Sequence, residues 1–89
     1  MVKEKVKVIN KSGLHLRPAG VLTEVARGCK SEVFLIKEDG TRVNPKSVLF
    51  LMGANITCGM EITVECSGMT EEEDLKAIIE AIKSGLNEE

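Results

Sequence analysis

The 89-residue sequence is poor in the features that mark several large classes of protein. It contains two phenylalanines and no tyrosine or tryptophan, so it lacks the aromatic residues on which nucleic-acid bases stack. The net charge of -2 also argues against nucleic acid or an anionic membrane surface as a partner. No apolar run reaches the roughly 18 residues of a membrane span, and the lysine-rich start lacks the apolar core of a signal peptide. We therefore expect a cytoplasmic protein that binds no nucleic acid and does not insert into a membrane.

Cysteine and histidine are too scarce for a conventional metal site. The three cysteines, Cys29, Cys58 and Cys66, show no C-x-x-C spacing, and His15 is the only histidine. A four-ligand zinc site would need carboxylates to complete it, which is uncommon, so we predict neither metal nor cofactor. Alternating polarity predicts a buried Cys66, whereas we expect Cys29 and Cys58 to be partly exposed. A cysteine-dependent enzyme is the weaker alternative function, because no third residue is apparent to orient a Cys–His pair.

Hydrophobic periodicity and turn signals predict seven elements in a single domain spanning residues 1–89. By periodicity alone, residues 48–52 could be strand or helix, and Ser47 before them and Gly53 after them favour a two-turn helix. Strands are predicted at residues 2–9, 31–37, 41–43 and 60–66, and helices at residues 18–27, 48–52 and 71–86. The order is therefore β-α-β-β-α-β-α. Four strands with one apolar face, covered on that side by amphipathic helices, form a two-layer α+β sandwich.

Several residues predict how the helices begin and end. Gly28 is expected to end the first helix in a left-handed conformation, and Ser47 to cap the start of the second. Thr70 and Glu73 have the spacing of a capping box at the start of the third helix. Gly20, inside the first helix, should cost up to about 1 kcal/mol of stability relative to alanine.

Residues 12–20, Ser-Gly-Leu-His-Leu-Arg-Pro-Ala-Gly, hold the candidate chemistry. Pro18 suits the first turn of a helix, which places His15 at or just before the helix N-terminus. Unpaired backbone N–H groups and the helix dipole favour an anion there, and Arg17 adds forked donors that fit phosphate oxygens. The pattern favours phosphorylation of the histidine; the alternative is a surface histidine beside a solvated arginine.

The heptapeptide at residues 13–19, Gly-Leu-His-Leu-Arg-Pro-Ala, resembles the phosphohistidine signature of HPr, the histidine-containing phosphocarrier of the bacterial phosphotransferase system. HPr proteins share the predicted element order, folded as an open-faced sandwich of a four-stranded antiparallel sheet with three helices on one face. The resemblance implies that His15 accepts a phosphoryl group from Enzyme I and passes it to sugar-specific Enzyme II components. It also implies that Arg17 and the backbone N–H groups of Leu16, Arg17 and Ala19 hold the phosphoryl oxygens. Such a protein is a stoichiometric carrier and not an enzyme with turnover of its own.

Ser47 stands where HPr proteins carry a regulatory serine, after Asn44-Pro45-Lys46. A serine at a helix start is already explained by its capping role. The resemblance to Gram-positive members implies two further partners, an HPr kinase/phosphorylase and a catabolite-control repressor. An alternative function is therefore a regulatory binding module that acts through phosphorylation of Ser47 instead of sugar transport.

Four residues depart from the usual HPr pattern: Leu16, Gly20, Phe50 and Asn55. Leu16 replaces a small residue between the histidine and the arginine. Asn55 can adopt the left-handed conformation that a glycine usually supplies in this turn. The departures leave His15 in place but bear on the choice of partner.

The second helix is apolar on all sides, so part of it must face solvent. The resemblance implies that its exposed side meets Enzyme I and the Enzyme II components. Carried onto this chain, the docking surface would hold Val48, Leu49 and Met52, extended by Leu16 beside His15. The alternative is that Leu49 belongs to the core.

Overall fold

All seven predicted elements are present in the computed structural model, which describes residues 1–86. The final three residues of the predicted 1–89 domain lie outside this part. The elements are β1 Val2–Lys7, α1 Leu16–Arg27, β2 Glu32–Ile36, β3 Arg42–Val43, α2 Val48–Gly53, β4 Glu61–Ser67 and α3 Glu71–Lys83. Most of them end within two or three residues of their predicted bounds.

The four strands form one antiparallel sheet in the order β1-β4-β2-β3. β1 pairs with β4 along its whole length, from Val2 opposite Cys66 to Lys7 opposite Glu61. α3 packs against β1 and β4, and α1 packs against both α2 and α3. The fold is therefore the predicted α+β open-faced sandwich.

Strand alternation and helix periodicity together build the core between the two layers. Every second residue of β4 is buried, and the neighbouring strands and helices add aliphatic side chains from their facing sides. The largest fully buried side chains include Leu22, Leu35, Leu51, Ile62, Ile78 and Ile82. Because α1 contributes to this core, its start is held firmly against the domain.

The end of α1 differs from the prediction. Gly28 has a right-handed conformation, with φ −75°, and its N–H donates to the carbonyls of Glu24 and Val25. The turn then continues to Cys29, whose N–H donates to Ala26 O at 3.0 Å. This continuation carries the Cys29 side chain into the core, so the expected exposure of that thiol is also wrong.

The predicted capping box at the start of α3 does not form. The Thr70 hydroxyl makes no capping hydrogen bond and instead donates to Asp74 Oδ2 at 2.8 Å. The backbone N–H of Gly68 donates to Glu71 Oε1 at 3.1 Å, and the Met1 ammonium donates to the same oxygen at 3.0 Å. The carboxylates of Glu71 and Asp74 thus accept hydrogen bonds from groups outside the helix and do not replace the predicted threonine cap.

Gly20→Ala should stabilise the protein by about 0.5–1 kcal/mol, because alanine loses less backbone entropy in a helix interior. A methyl group at this position of α1 would meet no atom within 4 Å. Denaturant unfolding of the two proteins measures the difference. Gly40→Ala is the matched control: that site is equally open, but its φ of +91° makes a side chain unfavourable, so stability should fall. An unchanged or lower free energy of unfolding for Gly20→Ala would contradict the prediction.

Candidate functional site

His15 is the N-cap of α1, as its position before Pro18 predicted. Its backbone is extended, with φ −83° and ψ −172°, and Leu16 is the first residue of the helix. The imidazole is exposed and makes no capping hydrogen bond. Both ring nitrogens are thus available to a partner in solution.

The structure corrects the set of backbone donors beside His15. The N–H of Ala19 donates to the His15 carbonyl at 2.8 Å, completing the first turn of the helix. Ala19 is the fourth residue of α1 and not the first, which is why its N–H is already used. Pro18 has no N–H. Within residues 1–86, the N–H groups of Leu16 and Arg17 make no hydrogen bond, so they are the two donors left for an anion.

Arg17 is the second residue of α1, and its side chain is exposed. Its guanidinium forms no ion pair or hydrogen bond with any residue in the described part of the chain. The positive charge of Arg17 therefore remains available to bind an anion. The structure brings His15, Leu16 and Arg17 together as one imidazole, two free N–H groups and one forked cation.

The loop before His15 is pressed against the segment at residues 56–57. Gly13 has φ +64°, and the N–H of Leu14 donates to Ile56 O at 2.9 Å. A Cβ atom at Gly13 would lie 2.5 Å from Ile56 O and 2.7 Å from Thr57 Cα. The Leu14 side chain is buried next to this contact. His15 therefore emerges from a loop with little freedom to move.

Ser47 caps α2 as predicted, its side chain accepting a hydrogen bond from the Phe50 N–H at 3.3 Å. The preceding residue, Lys46, offers its carbonyl to Arg27 Nε at 3.1 Å. Arg27 is the last residue of α1, whereas His15 precedes the first. Since 12 helical residues span about 18 Å, Ser47 and His15 lie towards opposite ends of α1 and do not form one site.

Exposed apolar side chains lie on α2 and beside His15. Leu49 is 76% exposed and Phe50 62% exposed, and Met52 and Leu16 are also exposed. Val48 is instead half-buried against the core, because Leu51 points fully inward and Val48 shares its side of the helix. The expected exposure of Val48 is thus wrong, and the alternative of a buried Leu49 is excluded. We refer to Leu49, Phe50 and Met52 as the α2 patch.

The far end of α2 is held by two residues, of which the sequence indicated one. Asn55 has φ 56°, which confirms the predicted left-handed conformation. Lys37 Nζ donates to Ala54 O at 2.8 Å and so binds the C-terminal end of the helix. Lys37 is distant in sequence from α2, so no local pattern pointed to this contact.

The cysteines do not assemble with the histidine. Cys66 and Cys29 are buried, and burial raises the pKa of the Cys66 thiol to about 11. Burial, followed by the nearby Asp74 carboxylate, raises the pKa of Cys29 as well, which keeps both thiols protonated and unreactive. The exposed Cys58 places its Sγ 3.6 Å from Ile9 O.

Residues 1–86 contain neither a metal site nor a membrane-spanning helix. No three His, Cys, Asp or Glu side chains there are grouped so as to hold a metal ion. None of the helices described has the length and apolar character needed to cross a membrane.

Comparison with known proteins places this geometry in a family. The family model of the PTS HPr component phosphorylation site matches residues 2–84. Phosphocarrier protein NPr of Escherichia coli (strain K12) is 40% identical over 88 residues, which are 99% of this chain and 98% of that protein. HPr-C-His from Thermoanaerobacter tengcongensis has a crystal structure similar to this one with a TM-score of 0.93 at 31% identity, covering 100% of this chain and 99% of the other. The solution structure of Crh, the Bacillus subtilis catabolite repression HPr, gives a TM-score of 0.66 at 38% identity, covering 91% and 95% of the two chains.

These matches extend over nearly the whole chain in both sequence and fold. They confirm the resemblance drawn from residues 13–19 and from the order of the elements. They include proteins named HPr, NPr and Crh, so they support a phosphocarrier of the phosphotransferase system in general. The chain belongs to the HPr family of phosphocarrier proteins.

Proposed function

We propose that this protein accepts a phosphoryl group on His15 from phospho-Enzyme I and passes it to sugar-specific Enzyme II components in the cytoplasm. The observation that carries the proposal is the exposed, unpaired imidazole at the N-cap of α1, next to two free N–H groups and the Arg17 guanidinium. This arrangement combines a nucleophile with donors for the oxygens of a phosphoryl group.

The transfer is an in-line displacement at phosphorus. A ring nitrogen of His15 forms a new N–P bond as the N–P bond to the Enzyme I histidine breaks, and the electron pair of that bond returns to the Enzyme I ring. The second transfer repeats this exchange, with His15 as the leaving group and an Enzyme II residue as the nucleophile. In both steps the carrier contributes position and charge stabilisation, since the developing charge lies on the phosphoryl oxygens. The protein is regenerated only by its partners, so we propose a stoichiometric carrier and not an enzyme.

Incubation with phosphoenolpyruvate and Enzyme I tests the proposal directly. We expect one phosphate per chain, labile in acid and stable in base, as a phosphohistidine is. Subsequent addition of an Enzyme II component should remove the label. Absence of labelling, or an acid-stable phosphate, would contradict the carrier function.

Arg17→Ala should slow transfer by about 100-fold, the typical cost of removing one donor from a site of developing negative charge. Arg17→Lys should lie between Ala and the wild type, because it keeps the charge but loses the fork. Rapid-quench measurement of transfer from phospho-Enzyme I gives the three rates. Lys76→Ala, which removes one positive charge from the exposed side of α3, serves as the control and should transfer normally. Equal rates for the three Arg17 proteins would show that Arg17 is only a solvated charge.

Leu49→Glu should leave the protein folded and raise the KM for phospho-Enzyme I by about tenfold. The side chain is already 76% exposed, so folding loses little, but docking would bury an unpaired carboxylate. Met69→Glu makes the same change at a fully exposed site before α3 and should leave KM unchanged. Thermal unfolding and transfer kinetics measure both effects. A collapsed melting temperature, or normal kinetics, would contradict a docking role for the α2 patch.

A regulatory role through Ser47 is the second candidate, supported by the similarity to Crh. Phosphorylation would add about 1.5–2 negative charges at the α2 N-cap, beside the α2 patch, and so alter docking. The partners would be an HPr kinase/phosphorylase and a catabolite-control repressor. Incubation with that kinase and ATP should give an acid-stable phosphate on the wild type and none on Ser47→Ala. Labelling of both proteins, or of neither, would contradict this role.

A further inference from the structure

One peptide group just before His15 is held at both of its ends. It joins Gly13 to Leu14, and its carbonyl oxygen accepts a hydrogen bond from Asn10 Nδ2. Its N–H donates to Ile56 O at 2.9 Å. A further bond, from the Gly13 N–H to Asn10 O at 3.0 Å, closes the turn between these residues. The orientation of this peptide is therefore fixed by Asn10 on one side and by residue 56 on the other.

Asn10 is an unusual residue to find in this place. Its side chain is buried, with 3% of its surface exposed, and its Oδ1 finds no partner within residues 1–86. A buried amide oxygen without a hydrogen bond disfavours the folded state. The unpaired Oδ1 of Asn10 thus disfavours the folded state, while its Nδ2 holds the loop that leads to His15.

We propose that Asn10 is a positioning residue for phosphoryl transfer at His15. It does not touch the phosphoryl group. By fixing the Gly13–Leu14 peptide, it sets the direction in which the chain enters the N-cap and hence where the imidazole lies relative to the free N–H groups of Leu16 and Arg17. In-line transfer depends steeply on this alignment, because the reacting atoms must meet in a near-attack geometry. The inference rests on the proposed function.

The variant Asn10→Ala can distinguish an effect on the position of His15 from an effect on the stability of the protein. It removes the Nδ2 donor and the unpartnered Oδ1 together, so the two effects on stability oppose each other and the melting temperature should change little. The exposed docking residues Leu16 and Leu49 are untouched, so KM for phospho-Enzyme I should stay within about twofold of the wild type. In contrast, kcat should fall by about tenfold, since the imidazole loses its fixed position.

Steady-state transfer from phospho-Enzyme I and amide hydrogen exchange of Leu14 together test the proposal. The Leu14 amide should exchange faster in Asn10→Ala, because its peptide is then held at one end only. Asn10→Ser keeps a shorter donor and should give an intermediate kcat, and it also serves if the alanine variant does not fold. Ser31→Ala is the matched control: the Ser31 Oγ is likewise buried and without a partner in the described chain, but it lies beside Asp74. Its kcat should equal that of the wild type.

The outcomes are distinguishable. A normal kcat in Asn10→Ala, or a raised KM with normal kcat, would overturn the positioning role while leaving the carrier function intact. An equal loss of kcat in Ser31→Ala would also overturn it, because any buried polar defect would then act alike. A wild-type protein that accepts no phosphate would contradict the proposed function, and the inference would fall with it.

Discussion

His15→Ala should remain folded and lose all phosphoenolpyruvate-dependent labelling. His15 is the only imidazole in the sequence, so no other residue of this chain can form the acid-labile phosphate of a phosphohistidine. Its side chain is exposed and makes no capping hydrogen bond, so its removal should change the free energy of unfolding by less than about 1 kcal/mol. Loss of activity would therefore report on chemistry and not on folding.

The measurement combines labelling with thermal unfolding of the same preparation. Ser47→Ala is a useful control, because it removes the other candidate phosphorylation site and should retain the acid-labile phosphate. If the His15 variant still acquires such a phosphate from Enzyme I, the carrier assignment is wrong.

Gly13→Ala should cost about 3 kcal/mol of stability and slow transfer as well. The residue has φ +64°, and a methyl group would lie 2.5 Å from Ile56 O, so both strain and a clash with backbone contribute. To relieve the clash, the loop must move away from the 56–57 segment. His15, two residues further on, would move with it.

Gly59→Ala separates these two causes. Gly59 also has a left-handed φ, of +93°, but a methyl group there would meet no atom within 4 Å. Its loss of stability should thus be about 1 kcal/mol, the cost of the left-handed conformation alone, and transfer should be normal. Denaturant unfolding of both variants gives the comparison. Equal losses would mean that the contact between the loop and residues 56–57 contributes nothing.

Features fixed by local chemistry were predicted well from the sequence. The period of apolar residues marked the longer strands and helices, turn and capping residues marked β3 and α2, and a proline three residues after His15 placed the histidine at a helix start. Ser47 and Asn55 were also predicted correctly, since capping and left-handed conformation depend on the residue type and its immediate neighbours.

Features that depend on contacts between distant segments were not predicted from the sequence. Because five successive residues of α2 are apolar, the sequence pattern does not show which side of the helix faces the core. It therefore could not predict that Val48 turns towards the core and Phe50 towards solvent. The Met1 ammonium, 70 residues away in sequence, binds Glu71 at the start of α3.

The strand order has a consequence for how the chain reaches its native state. β1 is first in sequence, yet among the described residues its neighbour in the sheet is β4, with Val2 opposite Cys66. On the ribosome, β1 must therefore wait without a partner until most of the chain has been made, and such long-range pairing slows folding. During that wait its alternating lysines, Lys3, Lys5 and Lys7, discourage the strand from pairing with other chains. The residues that face solvent on the finished sheet thus serve first as protection for a strand that cannot yet fold.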